Sequence, residues 1–188
     1  MKRFFCSAKS APGLCRRREG GFTMVEAMVV IAISAILVAL AAPSMRNLIE
    51  SNSVSDSVDS LMGSIAFARA EAIKRGVPVA LCPSNAATTG IPACETGTAW
   101  AAGWIVFVDY TGDGALGTND SVLRVQGSFT KNGEIDRARA GALVFTPMGT
   151  LSSITPRFTF TSPSKTPALS KVVCVSLGGR TYVDSACG

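Results

Sequence analysis

Histidine is absent from all 188 residues of this sequence, and its absence removes whole classes of site. Without an imidazole the chain cannot build a Ser-His-Asp or Cys-His catalytic site, and it lacks the commonest general base. Zinc sites are disfavoured for the same reason. Charged residues are also scarce, at 16% against 47% apolar residues, which allows a sizeable core and argues against wholesale disorder. The sequence therefore predicts a folded chain and offers no catalytic constellation.

The net charge of +5 belongs to the first 21 residues. They contain six of the 18 basic residues and one of the 13 acidic residues, so the rest of the chain is neutral overall. If segment 1–21 is removed, a general electrostatic attraction to polyanions such as nucleic acids is not supported.

Segment 24–42 is a long apolar run, MVEAMVVIAISAILVALAA, whose single charge is Glu26. About 20 apolar residues span a bilayer core as a helix. The basic cluster precedes the run, so the positive-inside rule keeps the N-terminus in the cytoplasm and exports the C-terminal part. Two simple interpretations are a cleaved signal peptide, with Ala39-Leu40-Ala41 as the cleavage site, and a single-pass anchor.

Both simple interpretations leave a feature unexplained. The run is longer than the usual 7–15 apolar residues of a signal peptide, and it contains a carboxylate. A charged side chain in a bilayer core costs roughly 2.5–3.5 kcal/mol on insertion scales. Glu26 is therefore expected to have a partner.

Segment 20–26, which reads GGFTMVE, resembles the type IV prepilin cleavage motif. The resemblance implies that a membrane peptidase cuts between Gly21 and Phe22 and methylates the new N-terminal amine. Glu26 then becomes the fifth residue of the mature chain, and its carboxylate pairs with the amine of a neighbouring subunit and sets the axial register. An opposite charge at short range is much more favourable in lipid than in water.

Helical periodicity extends beyond the membrane run, over 47–76. Gly76 and Pro78 are predicted to stop this amphipathic helix. Pro43, between the two helical segments, either ends the membrane helix or marks a bend in one long helix. The stripe predicted to pack on a sheet comprises Leu48, Val54, Val58, Leu61, Ile65, Ala68 and Ala72.

Beyond Gly76 the pattern changes to short β-rich runs separated by turn residues. No second helix is expected, so the fold class is α+β, with antiparallel sheets packed on the helix. The predicted strands are Val77–Cys82, Gly103–Val108, Val122–Gln126, Ala142–Thr146, Arg157–Thr161, Lys171–Ser176 and Arg180–Val183.

Several stretches resemble the GspH/FimT family of minor pilins and pseudopilins. They are AFARAEAIKRG at 66–76, GWIVFVD at 103–109, VLR at 122–124, VFTPMG at 144–149 and VVCVSLGGR at 172–180. The resemblance implies the type IV pilin fold. It divides the chain into a removed leader (1–21), a transmembrane and filament-core helix (22–46), an amphipathic head helix (47–76) and a β-rich periplasmic domain (77–188).

Four cysteines remain after removal of the leader, which contains the other two. An even number in an exported domain indicates disulfides. Three pairings are possible, and proximity in sequence favours Cys82 with Cys94 and Cys174 with Cys187. A four-thiolate zinc site is the rival, disfavoured by the absence of C-x-x-C spacing.

Segment 109–120 resembles part of an EF-hand calcium loop. Asp109, Thr111 and Asp113 stand at its first, third and fifth places, Gly114 at the sixth and Asp120 at the twelfth. The twelfth place is normally a glutamate, and strands rather than helices flank the loop. The alternative is a Gly/Asp-rich hairpin turn, which is the favoured interpretation.

A DNA-binding role is the second alternative among the functional hypotheses. Some FimT-type pilins bind DNA through a Gly-Arg-x-Arg motif, and here Tyr182 takes the place of the second arginine. Arg180, Lys171 and Arg157 could form a basic patch, with Tyr182 stacking on a base. An exposed strand with ordinary charges is the favoured alternative, because the mature chain is neutral.

The functional expectation is a structural subunit, not an enzyme: a minor pilin that helps assemble a type IV pilus. The alternatives are pseudopilin H of type II secretion and a DNA-binding pilin of transformation. The expected partners are other pilins or pseudopilins, the prepilin peptidase, the inner-membrane assembly platform and membrane lipid before assembly. The chain would cross the bacterial inner membrane once, with its C-terminal domain in the periplasm, and would need no cofactor.

Overall fold

The computed structural model describes residues 21–129, 131–152, 156–184 and 187. By its internal contacts the chain divides into two compact units, Met1–Ala42 and Pro43–Gly188. The predicted leader lies outside the described residues, apart from Gly21.

A single helix, α1, extends over Met24–Arg75. It is long and apolar enough near the N-terminus to cross a membrane, as judged by length and composition. The helix passes position 43, so the interpretation in which Pro43 ends it is wrong. It ends before Gly76, which has a φ of 66° and donates its N–H to the carbonyl oxygen of Ala72. Glycine adopts this left-handed conformation without steric cost.

The predicted apolar stripe forms the buried face of α1 in the second unit. Six of its seven members are 0–3% exposed. Leu48 is 55% exposed and is therefore not a core residue, a correction to the prediction. Two serines, Ser57 and Ser64, are also buried on this helix, and each hydroxyl donates to the carbonyl four residues earlier. These bonds satisfy the hydroxyls without disturbing the apolar packing.

Two four-stranded antiparallel sheets complete the second unit. The strand order is β3-β2-β1-β5 in the first sheet and β4-β6-β7-β8 in the second. The strands are β1 (Val79–Pro83), β2 (Trp104–Val108), β3 (Ser121–Gln126), β4 (Glu134–Arg137), β5 (Leu143–Phe145), β6 (Arg157–Thr161), β7 (Lys171–Val175) and β8 (Thr181–Val183).

The main core lies between α1 and the sheets and is rich in aromatic side chains. Trp100 meets Phe158 edge to face with ring centroids 5.1 Å apart, and Trp104 stacks on Phe129 at 5.3 Å. Such pairs add to the stability provided by burial alone. Phe107 belongs to a smaller cluster that also contains Ile105, Cys82 and Ala86. Strand β2 is therefore buried along its whole length.

Two elements correct the sequence prediction. Strand β4 was not predicted, because its sequence EIDR reads as a polar loop. Its Arg137 is nonetheless buried, and the guanidinium donates a hydrogen bond to the carbonyl oxygen of Gly141. A one-turn helix, α2 (Ala86–Thr89), interrupts the loop after β1, and a 3₁₀ turn occupies Pro167–Leu169.

Candidate processing and assembly site

The bond between Gly21 and Phe22 lies outside α1. Residues 21–23 have no regular secondary structure, and Phe22 is 81% exposed. The Thr23 hydroxyl oxygen accepts the N–H of Glu26 at 3.2 Å. Thr23 therefore acts as the N-cap of α1 and fixes its first residue as Met24. An exposed, non-helical bond two residues before a capped helix is accessible to a peptidase.

Glu26 occupies the first turn of α1, and its side chain is exposed at the surface of the first unit. The spacing from Thr23 to Glu26 is that of a capping box, and an acid here also complements the positive end of the helix dipole. The three ion pairs found among the described residues do not include Glu26. The capping geometry was not anticipated from the sequence, although the pattern Thr-x-x-Glu signals it.

The first unit presents an almost unbroken apolar surface. Its polar hydroxyl at Ser34 donates to the carbonyl oxygen of Val30 at 2.7 Å and so stays within the helix. A shallow groove along one face is lined by Ile31, Ser34, Ala35, Val38 and Ala39. Small residues of this kind allow a neighbouring helix to approach closely. An apolar surface of this kind can contact lipid before assembly and other helices after it.

Two disulfides join the cysteine pairs that sequence proximity favours. Cys82 is bonded to Cys94, and Cys174 is bonded to Cys187, each with a Cα–Cα distance of 5.5 Å. The first bond attaches the loop after β1 to the outer face of the first sheet. The second attaches the end of the chain to β7. Both therefore fix irregular segments to strands.

The acidic loop after β2 is a turn built on its own carboxylates. The Asp109 carboxylate accepts the N–H groups of Gly112 and Gly114, and Asp113 accepts that of Ala115. The Asp120 carboxylate accepts two further N–H groups, from Tyr110 and Gly117. Within the described ranges no group of three or more candidate ligands could hold a metal ion. The geometry supports the hairpin-turn interpretation over the calcium loop.

The residues of the predicted DNA patch are divided between the two faces of their sheet. The Lys171 ammonium donates to the hydroxyl of Ser55 at 2.8 Å, so Lys171 faces α1. Arg157 lies opposite Cys174, which in turn lies opposite Tyr182, so these side chains share the other face of the sheet. Arg180 lies in the turn between β7 and β8. Lys171 therefore lies on the opposite face of the sheet from Arg157 and Tyr182, because successive side chains of a strand alternate between its two faces.

Arg180 instead lines an open cleft of about 490 Å³ beside α1. A second arginine, Arg69, shares the cleft, and its Nε donates to the carbonyl oxygen of Gly149 at 3.1 Å. No signal in the sequence relates Arg69 to Arg180, which is 111 positions further along the chain. The lining comprises Ala66, Arg69, Ala70, Ile73, Gly179, Arg180 and Thr181.

The carboxylate of Glu71, near the end of α1, is paired within its own helix. It accepts hydrogen bonds from the side chains of Arg75 and Lys74. The bond from Arg75 is the main reason that the pKa of Glu71 lies below its ordinary value, and the two positive charges lower it further. Glu71 therefore does not neutralise the two arginines of the cleft.

A capped apolar helix and a head, meaning the two antiparallel sheets and the part of α1 that packs on them, define the class of pilin-like filament subunits. Residues 16–42 match the prokaryotic N-terminal methylation motif. Residues 57–179 match the model of the type II transport protein GspH. The chain belongs to this family, as a minor pilin or pseudopilin of the GspH/FimT type.

Solved structures share the fold. Two crystal forms of the type IV minor pilin FimU of Pseudomonas aeruginosa strain PAO1 are similar to this chain, with TM-scores of 0.51 and 0.52. The sequence identities are 19% and 18%, with 69% and 73% of this chain and 91% and 96% of FimU covered. No curated protein sequence matches the chain significantly. The similarity to the two FimU structures confirms the predicted α+β pilin fold.

Proposed function

We propose that the chain is cut between Gly21 and Phe22, methylated on the new amine and assembled into a filament as a non-catalytic subunit. The observation that carries this proposal is the exposed bond immediately before the Thr23-capped apolar helix. In the membrane the carboxylate of Glu26 pairs with the amine of an adjacent subunit. This pairing removes the cost of a lone charge in lipid and fixes how far one subunit is shifted along the next.

The intact mass of the membrane-extracted protein tests the processing step. The expected N-terminus is Phe22 with one methyl group. A Gly21→Val variant should keep the leader, whereas the matched Gly63→Ala variant should be processed normally. An N-terminus at Ala42 or Pro43, or retention of residues 1–21 in the native chain, would contradict the proposal.

The proposal places residues 22–46 in the inner membrane and residues 47–188 in the periplasm, with the N-terminus in the cytoplasm before cleavage. Two disulfides in the second unit suit an oxidising compartment. The absence of histidine from the sequence supports a role without catalysis. The expected partners are other pilin-fold subunits, the processing peptidase and the membrane platform that assembles the filament.

The favoured filament is a type IV pilus, with the short-loop disulfide pairs as the supporting feature. The second candidate is the pseudopilus of type II secretion, which the description of the matching family names. Deletion of the gene separates the two. Loss of surface pili with normal secretion supports the first, whereas retention of exoproteins in the periplasm with normal pili supports the second.

A further inference from the structure

The exposed face of α1 in the second unit carries a second stripe, opposite the buried one. From Asp56 to Ile73 its residues are separated by steps of three and four, so they lie in one row along the helix, and Lys74 stands beside the end of that row. Two acids come first, three small residues follow, and a cation with an apolar neighbour comes last. All of them are exposed: Asp56, Asp59, Gly63, Ala66, Ala70, Ile73 and Lys74.

The far end of this row opens into the cleft that contains Arg69 and Arg180. Among the described residues, none of the seven that line the cleft is acidic, whereas two of them are arginines. Ile73, 52% exposed, forms part of the rim. The cleft therefore combines positive charge with an apolar wall.

Two glycines shape this cleft. Gly149 has a φ of 76°, and a Cβ there would lie 2.6 Å from the Cδ1 of Ile73. Gly179 has a φ of 71°, and a Cβ there would lie 2.8 Å from the carbonyl oxygen of Gly149 and 3.0 Å from the Cδ of Arg69. Contacts this close require glycine, because a side chain would displace the helix residues. The position of Arg69 is therefore fixed by the fold.

We propose that this row and its cleft are the docking surface for an acidic helix of the adjacent filament subunit. The carboxylates of that helix enter the Arg69–Arg180 cleft, and the small residues let the two helices approach closely. The inference rests on the proposed filament function. It adds which face of the head makes the contact and what chemistry the partner presents.

The arrangement of charge along α1 supports a staggered, head-to-tail contact. Asp59 and Arg69 are ten residues apart, or about 15 Å along the helix axis. A pilin-fold subunit that is turned to face this row, is shifted by about that length along the helix axis and carries acids where this chain carries Asp56 and Asp59 would bring its carboxylates beside the cleft. A contact between two different patches that includes a shift along the axis cannot close on itself, so it generates an open helical filament and not a closed dimer or ring. Charge complementarity therefore selects a shifted neighbour of the same fold.

Photo-cross-linking in cells tests the contact with the full-length chain. A photoreactive amino acid is placed at Ala70, in the cleft wall, or at Thr118, an exposed control position in the loop before β3. Filaments are sheared from irradiated cells, and each adduct is mapped by mass spectrometry. The probe at Ala70 should join a helical segment of another filament subunit that contains Asp or Glu, and the probe at Thr118 should not.

A charge reversal tests the electrostatic part. Arg180→Glu should lower the yield of the Ala70 adduct at least tenfold, whereas Arg139→Glu, an exposed arginine outside the cleft, should leave it unchanged. Equal thermal unfolding of the two variants would show that the head remains folded. An unchanged adduct yield in Arg180→Glu would overturn the proposed role of the cleft.

The outcomes separate this proposal from the one on which it rests. Absence of the native chain from sheared filaments and pseudopili would refute the filament function and the docking surface together. If the chain is present in filaments, but the Ala70 probe forms no adduct or joins a segment without acids, the docking surface is refuted and the filament function stands.

Discussion

Two residues, Glu26 and Gly149, occupy positions that few other side chains could occupy. Glu26 is the first of them. It stands in an apolar helix, has its N–H bonded to Thr23, and is not part of an ion pair among the described residues. Its carboxylate therefore serves the start of the helix and remains available to a charge from outside the chain.

Replacement of Glu26 by glutamine should prevent incorporation into filaments without preventing cleavage. The neutral side chain leaves the neighbouring ammonium group uncompensated in lipid, and loss of one partner of a buried ion pair costs about 3–5 kcal/mol. Immunoblots of sheared filaments should show at least a tenfold decrease. Glu95→Gln, in an exposed loop, is the matched control and should incorporate normally. Equal incorporation of both variants would remove the basis of the proposed pairing.

Gly149 is a second residue whose identity is fixed by geometry. Gly149→Ala should destabilise the head by about 1–2 kcal/mol, since an alanine in the left-handed region clashes with its own backbone. The new Cβ would also press on Ile73. Gly63→Ala, in the middle of α1 with no atom within 4 Å of the added Cβ, should instead stabilise by about 0.5–1 kcal/mol. Urea unfolding of the detergent-solubilised chain measures both changes.

Among the elements, α1 consists of two parts whose surfaces differ in polarity. Near its start it is apolar on all sides, whereas beyond Pro43 only one stripe is apolar and buried. The first part therefore needs lipid or other helices around it, and the second part needs the sheets of its own head.

Substitutions on α1 should separate these surfaces. Leu61→Ala should lower the free energy of unfolding by about 2–5 kcal/mol, because it leaves a cavity at a side chain that is 0% exposed. Leu48→Ala should have little effect on unfolding, because that side chain is 55% exposed. Thermal unfolding followed by circular dichroism compares the two. A large loss of stability in Leu48→Ala would mean that the helix packs differently.

Both sheets of the head are bonded by a disulfide to an irregular segment of the chain. The Cys82–Cys94 bond closes a loop of 12 residues, and the Cys174–Cys187 bond closes one of 13. Each fixes an irregular segment to a strand. Because a closed loop reduces the conformational entropy of the unfolded chain, both bonds stabilise the folded state.

Removal of one disulfide should lower stability without abolishing the fold. The double variant Cys82→Ala, Cys94→Ala should lose about 2–4 kcal/mol in unfolding free energy, as expected for a loop of this length. A further variant that also lacks the Cys174–Cys187 bond should have the same unfolding free energy with and without added reductant. Unchanged stability in the double variant would indicate that the bond does not form in the native protein.

The sequence alone predicted much of this architecture, for local reasons. The buried stripe of α1 followed from helical spacing, and seven of the eight strands found in the described residues followed from β-rich runs between turn residues. The processing bond and Glu26 were predicted from one short segment and remain predictions. Leu48 was wrongly included in the core, because periodicity continues past the point where the sheets can cover the helix.

Features that depend on neighbours along the chain could be predicted from the sequence: the apolar run, the end of α1 before Gly76, the strands other than β4, and the cysteine pairs close in sequence. Tertiary packing is needed to explain why β4 is a strand, why Lys171 faces α1, and why Arg69 and Arg180 share a cleft. Arg69 reaches Gly149 across 80 residues of sequence. Contacts of that kind leave no periodic signal, because they arise from strand pairing and packing between distant segments.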